Sequence, residues 1–222
     1  MNSLPVEVKV MVASFVGDAR SLANLALVDR TFYGIFKSHE AKFCAGLTSY
    51  TDLAYHGLLP LAMAALDSEH LGINYTDQDI ARYIDEHFPY DDSLDGANIS
   101  DWQNIQTCLE LDELYLVVNH YATIIEGIVD RSIAENHDNQ LAFSQAEGLR
   151  VRKSLYILQI LRNLFPPDYT ICPVGSPGSP PVWRKFWYNF APWELQQVRC
   201  AHELLAQHLI NGKNSIENAM AL

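Results

Sequence analysis

Residues 4–16 read LPVEVKVMVASFV, an apolar segment that opens with a proline and a glutamate. The segment could be a signal peptide, an ordinary core helix or a helix that binds another protein. Its apolar residues recur at three- and four-residue spacing, which predicts one stripe along a helix. Pro5 fits the first turn of that helix, and Glu7 favours the positive end of its dipole. The stripe consists of Leu4, Val8, Met11, Val12, Phe15 and Val16.

The features of a secretory signal are weak. No basic residue precedes the apolar run, and Glu7 and Lys9 interrupt that run early. No apolar stretch approaches the roughly 20 residues that a membrane-spanning helix needs. We therefore expect a protein of the cytoplasm, the nucleus or both, in a reducing compartment and without a membrane partner.

Composition limits the classes of partner. The chain has 222 residues, of which 49% are hydrophobic, enough for one real core with a small extra module. Its formal net charge is -12, and residues 67–147 hold eighteen acidic residues against two basic ones. Such an acidic chain is a poor candidate for binding nucleic acid or an anionic membrane. We expect its charge-rich segments, including the basic residues of 149–162, to be solvated helix faces.

The first forty residues contain three short helices separated by capping signals. Gly17 and Asp18 end the first helix, Asp18 can cap the second, and Asp29 can cap the third. A module of this size cannot bury enough apolar surface to be stable alone. It must therefore pack on the rest of the chain or on another protein, and these physical arguments do not choose between the two.

The remainder also reads as helical, with no strand-like alternation of useful length. A long helix, or two stacked ones, is predicted from residue 102 to about 135. Ser144 and Glu147 form a capping box that opens a central helix, and Pro192 opens the last one. A Pro/Gly-rich loop is expected at about 166–183. The fold class predicted is all-α, with an N-terminal three-helix module followed by an irregular helical domain.

No catalytic pattern appears in the sequence. Phosphate-binding loops, dinucleotide fingerprints and nucleophile elbows are missing, and the cysteines form no CxxC pair. Asp91-Asp92 and Asp112-Glu113 are paired carboxylates in polar surroundings, where solvated charge is the expected state. We therefore expect no enzyme activity, no cofactor and no metal. An aromatic cluster could form core, a ligand pocket or a partner surface, and it contains Trp183, Phe186, Trp187, Tyr188, Phe190 and Trp193.

The order of residues in the N-terminal module closely resembles the F-box. The start Leu-Pro-x-Glu at residues 4–7 is followed by a leucine-rich stretch that ends Val-x-Arg-x-Phe at residues 28–32. The resemblance covers residue 3 to about 43, nearly the whole motif. Val8 and Val12 stand where the family often has Leu or Ile, and Asp18-Ala-Arg-Ser-Leu22 replaces the usual acidic-leucine pair.

The resemblance implies a partner. F-box helices dock on the Skp adaptor of cullin–RING ubiquitin ligases, so the chain would act as a substrate-recruiting adaptor. The residues that the resemblance puts at or near the adaptor surface are Leu4, Pro5, Val8, Val12, Leu22, Leu25, Val28 and Phe32.

Residues 100–210 are similar, more weakly, to a group of fungal F-box-containing helical proteins. The similarity rests on LRVRKSLYILQILRNLFPP and FAPWELQQVRCAHELL. Members are usually longer, which would fit an altered end after Leu209. The expected organisation is an F-box at 3–43 and a helical, substrate-binding region at 51–222. The alternative is a helical scaffold or protein-interaction module whose degenerate F-box packs on its own chain, with no role in ubiquitination.

Overall fold

The computed structural model describes residues 4–71, 75–88, 104–136, 143–165 and 181–220, with side chains except at 133–136 and 212–220. Every regular element in these ranges is an α-helix, and no strand occurs among them, which confirms the predicted all-α class. The helices are α1 (Val6–Ser14), α2 (Ala19–Ala26), α3 (Arg30–Ala45), α4 (Thr48–Tyr55), α5 (Leu59–His70), α6 (Asp77–His87), α7 (Ile105–Asn136), α8 (Gln145–Leu164), α9 (Pro181–Trp187) and α10 (Pro192–Met220).

The chain divides into two compact units. The first comprises residues 1–66 and 91–116, and the second comprises residues 67–90 and 117–222. The unit that holds the N-terminal helices therefore reaches further along the chain than the predicted module at 3–43.

Buried side chains of the first unit explain this extent. Leu47 and Cys108, which lie well outside the module, belong to the same apolar cluster as Leu22. The inner face of the short helices is thus covered by their own chain, as the size of the module requires. The buried members of the cluster are Ala13, Ala19, Leu22, Ala26, Ile35, Phe36, Phe43, Cys44, Leu47 and Cys108.

Side-chain caps set the starts of α2 and α3. The Asp18 carboxylate accepts a hydrogen bond from the Ser21 N–H at 2.8 Å. The Asp29 carboxylate accepts from the N–H groups of Thr31 and Phe32 at 2.7 and 2.8 Å. Both residues satisfy amides that have no partner inside the helix. The helix starts predicted from the two aspartates are therefore found in the structure.

The second unit is built on α8, as its apolar circumference predicts. Tyr156, Ile160 and Leu164 of α8 are fully buried, and α10 packs along this helix. The predicted capping box is present: Ser144 Oγ accepts from the Glu147 N–H, and a Glu147 carboxylate oxygen accepts from the Ser144 N–H at 2.8 Å.

Aromatic residues of and after α9 pack beside α6 in the second unit. The Phe186 ring centroid lies 5.2 Å from that of Phe190 and 5.8 Å from that of Phe88. Trp183 and Phe186 are buried, whereas Tyr188 and Trp193 are exposed. The predicted aromatic cluster is therefore divided: two of its six residues belong to the core, Trp187 and Phe190 are half-buried, and two reach solvent.

The prediction of a Pro/Gly-rich loop at about 166–183 is wrong for its last three residues, which are helical. Residues 166–180 lie outside the described ranges, and Pro181 already begins α9. Proline suits a first helical position, and the burial of Val182 and Trp183 stabilises the turn that follows. The segment predicted from residue 102 to 135 forms the single helix α7 where it is described.

Candidate protein-interaction surface

Most of the apolar stripe of α1 is exposed to solvent. Phe15 is 81% exposed, Met11 is 53% exposed, and Leu4 and Val12 are each 40% exposed. Val8 is half-buried. We call these five residues the outer stripe. Val16, which the sequence pattern places in the same stripe, instead packs against the buried cluster.

The buried face of α1 is formed by residues that do not belong to the apolar stripe predicted from the sequence. Lys9 and Ala13 are the buried residues of this helix. Ala13 is small, so its side of α1 can approach α3 closely. Lys9 is only 1% exposed, which is unusual for a charged side chain.

The burial of Lys9 is made possible by Asp29, the N-cap residue of α3. Lys9 Nζ lies 3.7 Å from Asp29 Oδ2 and 5.2 Å from the centroid of the Phe32 ring. The pKa of Asp29 is held below its usual range, mainly by the Phe32 N–H and with help from the Lys9 charge. The carboxylate therefore stays ionised beside the ammonium group, and the two charges orient α1.

The residues implied for adaptor binding fall into three sets. Leu4, Pro5, Val12 and Val28 are exposed, and Val8 and Leu25 are half-buried. Leu22 and Phe32 are buried, at 1% and 3% exposure, so in this structure they stabilise the module and offer no surface. Five residues of the module outside the implied set are also exposed and apolar or aromatic: Val6, Met11, Phe15, Leu27 and Tyr33.

Asp112 joins the N-terminal helices to α7. One oxygen accepts from the Ala19 N–H at 2.6 Å, and the other accepts from the Ser49 hydroxyl. The expectation of solvated charge at Asp112 is therefore wrong, since this carboxylate satisfies the first amide of α2 and a buried hydroxyl. Glu113, by contrast, is exposed and pairs with the exposed Arg20 at 3.1 Å.

Glu40 makes a second connection within the first unit. One carboxylate oxygen accepts from the Ile105 N–H at 2.9 Å, where α7 begins, and the other accepts from Lys37 at 2.9 Å. These bonds lower the pKa of Glu40, although burial acts in the opposite direction and is the larger single influence. The start of α7 is thereby fixed on α3.

A half-buried titratable pair lies in the second unit. His87 Nε2 is 3.5 Å from Asp67 Oδ2, and the Tyr83 ring centroid is 4.4 Å from that of His87. Burial lowers the pKa of His87 and raises that of Asp67. Neither described cavity is lined by this pair, so we assign it no chemistry.

The basic helix predicted within 149–162 is partly neutralised. Arg152 Nε donates to Asn119 Oδ1 at 2.8 Å, and Lys153 Nζ forms a close ion pair with Glu194. These contacts hold α8 against α7 and α10. The face is thus only partly the solvated charge that was expected: Arg152 and Lys153 are half-buried and paired, and Arg150 is exposed.

Within the described ranges, no group of three or more His, Cys, Asp or Glu residues is arranged to hold a metal ion. In the same part of the chain, none of the helices combines the length and the apolar character required to cross a bilayer.

Comparison of the chain with protein-family models, with curated proteins and with solved structures returns no match.

Proposed function

We propose that this protein is a substrate-recruiting adaptor of a Skp–cullin–F-box ubiquitin ligase. The N-terminal module would dock the Skp adaptor, and the helical remainder would hold a protein substrate. The observation that supports the proposal most is the outward position of the stripe on α1. It begins with the Leu-Pro-x-Glu sequence that resembles the F-box, and it exposes Met11 and Phe15 to solvent.

The outer stripe has the chemistry of a partner surface. Contiguous apolar residues on the surface of a protein commonly mark interaction sites. Burying one phenylalanine side chain contributes about 1.5–3 kcal/mol, so Phe15 alone would supply a useful part of the docking free energy. Because Lys9 is buried, the described part of α1 carries only Glu7 as an exposed charge.

Two further residues extend the exposed apolar surface of the module. Leu27 is 76% exposed and Val28 is 53% exposed, directly after the end of α2. Val28 belongs to the Val-x-Arg-x-Phe segment on which the F-box resemblance partly rests. We include both residues in the proposed docking surface.

The buried residues of the module have a supporting part in this proposal. Leu22 packs inside the first unit and Phe32 lies under Lys9. They would shape the surface without contacting the partner. Their burial is also what the alternative function predicts, in which the module packs on its own chain and takes no part in ubiquitination. The exposed stripe is what that alternative leaves unexplained.

A pull-down with a purified Skp-type adaptor under reducing conditions tests the proposal. We expect the wild-type chain to capture the adaptor, and the double variant Met11→Glu/Phe15→Glu to capture little or none. Both substitutions lie on the surface, so circular dichroism should remain that of wild type. Tyr55→Glu is the matched control, since Tyr55 is 85% exposed and lies in the same unit, outside the stripe.

Failure of the wild-type chain to capture the adaptor would reject the proposal in favour of the self-packed scaffold. Equal capture by wild type and the double variant would reject the stripe as the docking surface. A role in ubiquitin ligation also requires the cytoplasm or the nucleus, which is the location that we propose for this protein.

A further inference from the structure

An apolar cavity of about 260 Å³ opens between α7, α8 and α10 in the second unit. Ile125, Val129 and Val151 form part of its wall, with Leu204 on α10. Burial of apolar area is the main source of affinity in such a recess. The volume suits one or two large apolar side chains.

A second cavity, of about 470 Å³, continues the first along α7 and α10. Both are bordered by Leu204, and the second is otherwise lined mainly by polar residues, among them Arg131, Gln207 and Asn211. From Gln197 to Asn211 the wall on α10 extends for about 21 Å, at 1.5 Å per residue. The two cavities therefore form one groove, apolar at one end and polar at the other, which we call the α7–α10 groove.

Each end of the groove has an arginine that forms no direct ion pair with a carboxylate among the described residues. Arg150 lines the apolar end together with Glu147, whose pKa is lowered mainly by hydrogen bonds from the Ser144 hydroxyl and N–H and in part by the Arg150 charge. Arg131 lines the polar end and donates only to the Gly127 carbonyl, at 2.9 Å.

The other carboxylates near the groove form hydrogen bonds or ion pairs with other groups. Asp130 accepts from the Phe143 N–H at 3.2 Å, and Glu203 pairs with Arg199 at 2.8 Å. Neither arginine of the groove is thus engaged in a direct ion pair with a described carboxylate, in a chain whose net charge is -12.

We propose that the α7–α10 groove binds a peptide segment of a partner protein that combines an apolar anchor with acidic residues. The anchor would enter the cavity beside Leu204, and the acidic side chains would pair with Arg150 and Arg131. An extended segment of six or seven residues would span the groove at about 3.3 Å per residue. The proposal of peptide binding depends only on the geometry and charge of the groove. The further proposal that the groove is the substrate site rests on the proposed function.

Selection from a display library of fully randomised 12-residue peptides, against the purified full-length chain, tests the inference. We expect the enriched peptides to carry Leu, Phe or Trp together with Asp or Glu. Bound peptide should also slow the alkylation of Cys200, because this exposed thiol lines the apolar end. No enrichment, enrichment of basic sequences or unchanged alkylation of Cys200 would overturn it.

Charge reversal supplies the specific control. Arg150→Glu and Arg131→Glu should each lower the affinity for a selected peptide by about tenfold, since attraction becomes repulsion. Arg184→Glu, an exposed arginine of the same unit outside both cavities, should leave it within twofold. Equal effects of all three reversals would contradict recognition at the groove. No Skp-type adaptor is present in this assay, so its outcome is separate from that of the pull-down.

Discussion

Lys9 and Asp29 form an ion pair in which the lysine side chain is almost completely buried, with Nζ 3.7 Å from Oδ2. Asp29 Oδ2 accepts no hydrogen bond within the described part of the chain, so the Lys9 charge is its main compensation. The pair directs one side of α1 onto α3. The opposite side, with the outer stripe, is consequently left at the surface.

Replacing Lys9 with methionine should destabilise the first unit. The apolar stem is kept, but the buried oxygen of Asp29 loses its counter-charge, and breaking a buried pair in this way is strongly unfavourable. We expect the melting temperature to fall by roughly 5 °C or more, read by circular dichroism. Lys42→Met, at an exposed lysine of α3, should have little effect. A Lys9→Met protein as stable as wild type would show that the pair does not orient α1.

Asp112 and Glu113 provide a second comparison, between neighbouring acids with different partners. Asp112→Ala leaves the Ala19 N–H and the Ser49 hydroxyl without their acceptor, which should lower the free energy of unfolding by about 2 kcal/mol. Glu113→Ala removes only an exposed pair and should change it by less than about 0.5 kcal/mol. Urea denaturation measures both values. Similar losses for the two variants would contradict the structural role of Asp112.

The pKa of His87 is a third quantity open to measurement. Burial lowers it below the ordinary 6.5, while Asp67 and Glu86 act in the opposite direction. The unfolded chain then binds a proton more readily than the folded one. The stability contribution of His87 is complete above pH 6.5 and declines as the pH falls through the folded pKa. The raised pKa of Asp67 has the opposite effect. Its stability contribution is complete below about pH 3.8 and is lost as the pH rises through the folded pKa.

An NMR titration of the His87 ring should therefore give a midpoint below 6.5. Asp67→Asn should lower the midpoint further, because the favourable negative charge is removed. A midpoint above 6.5 in the wild-type protein would mean that the ion pair outweighs burial, contrary to this account.

Cysteine reactivity distinguishes the buried core of the first unit from an exposed position of the second. Cys44 and Cys108 are buried, whereas Cys200 is exposed. The Cys108 thiol donates to the Cys44 sulfur, and this bond together with burial raises the pKa of Cys108. Iodoacetamide should label Cys200 in the native protein and leave the other two unlabelled until denaturant is added. Peptide mass spectrometry resolves the sites, and comparable native rates at Cys44 and Cys200 would disprove the packing described.

Local signals in the sequence predicted the starts of several helices. Asp18, Asp29 and Ser144 accept hydrogen bonds from amides two or three residues away. The sequence pattern that predicts each helix start is therefore contained in a few neighbouring positions. The all-α class follows for a similar reason, because apolar spacing is a property of one segment at a time.

The buried side of α1 could not be predicted in this way. It depends on Asp29, which lies twenty positions after Lys9. The bond from Ala19 to Asp112 joins residues 93 positions apart. Nothing in the sequence marks Asp112 as the acceptor for the Ala19 N–H, and a lysine inside an apolar run is expected at the surface. The same reason led to the wrong expectation of solvated charge at Asp112.

Hydrogen–deuterium exchange of the full-length chain, with and without a saturating amount of a purified Skp-type adaptor, tests the central claim most directly. We expect peptides that cover residues 4–16 and 27–28 to exchange more slowly in the complex, while peptides of α6 and α8 remain unchanged. The Met11→Glu/Phe15→Glu protein should show no protection. Absence of a complex, or protection that leaves α1 unaffected, would contradict the outer stripe as the docking surface.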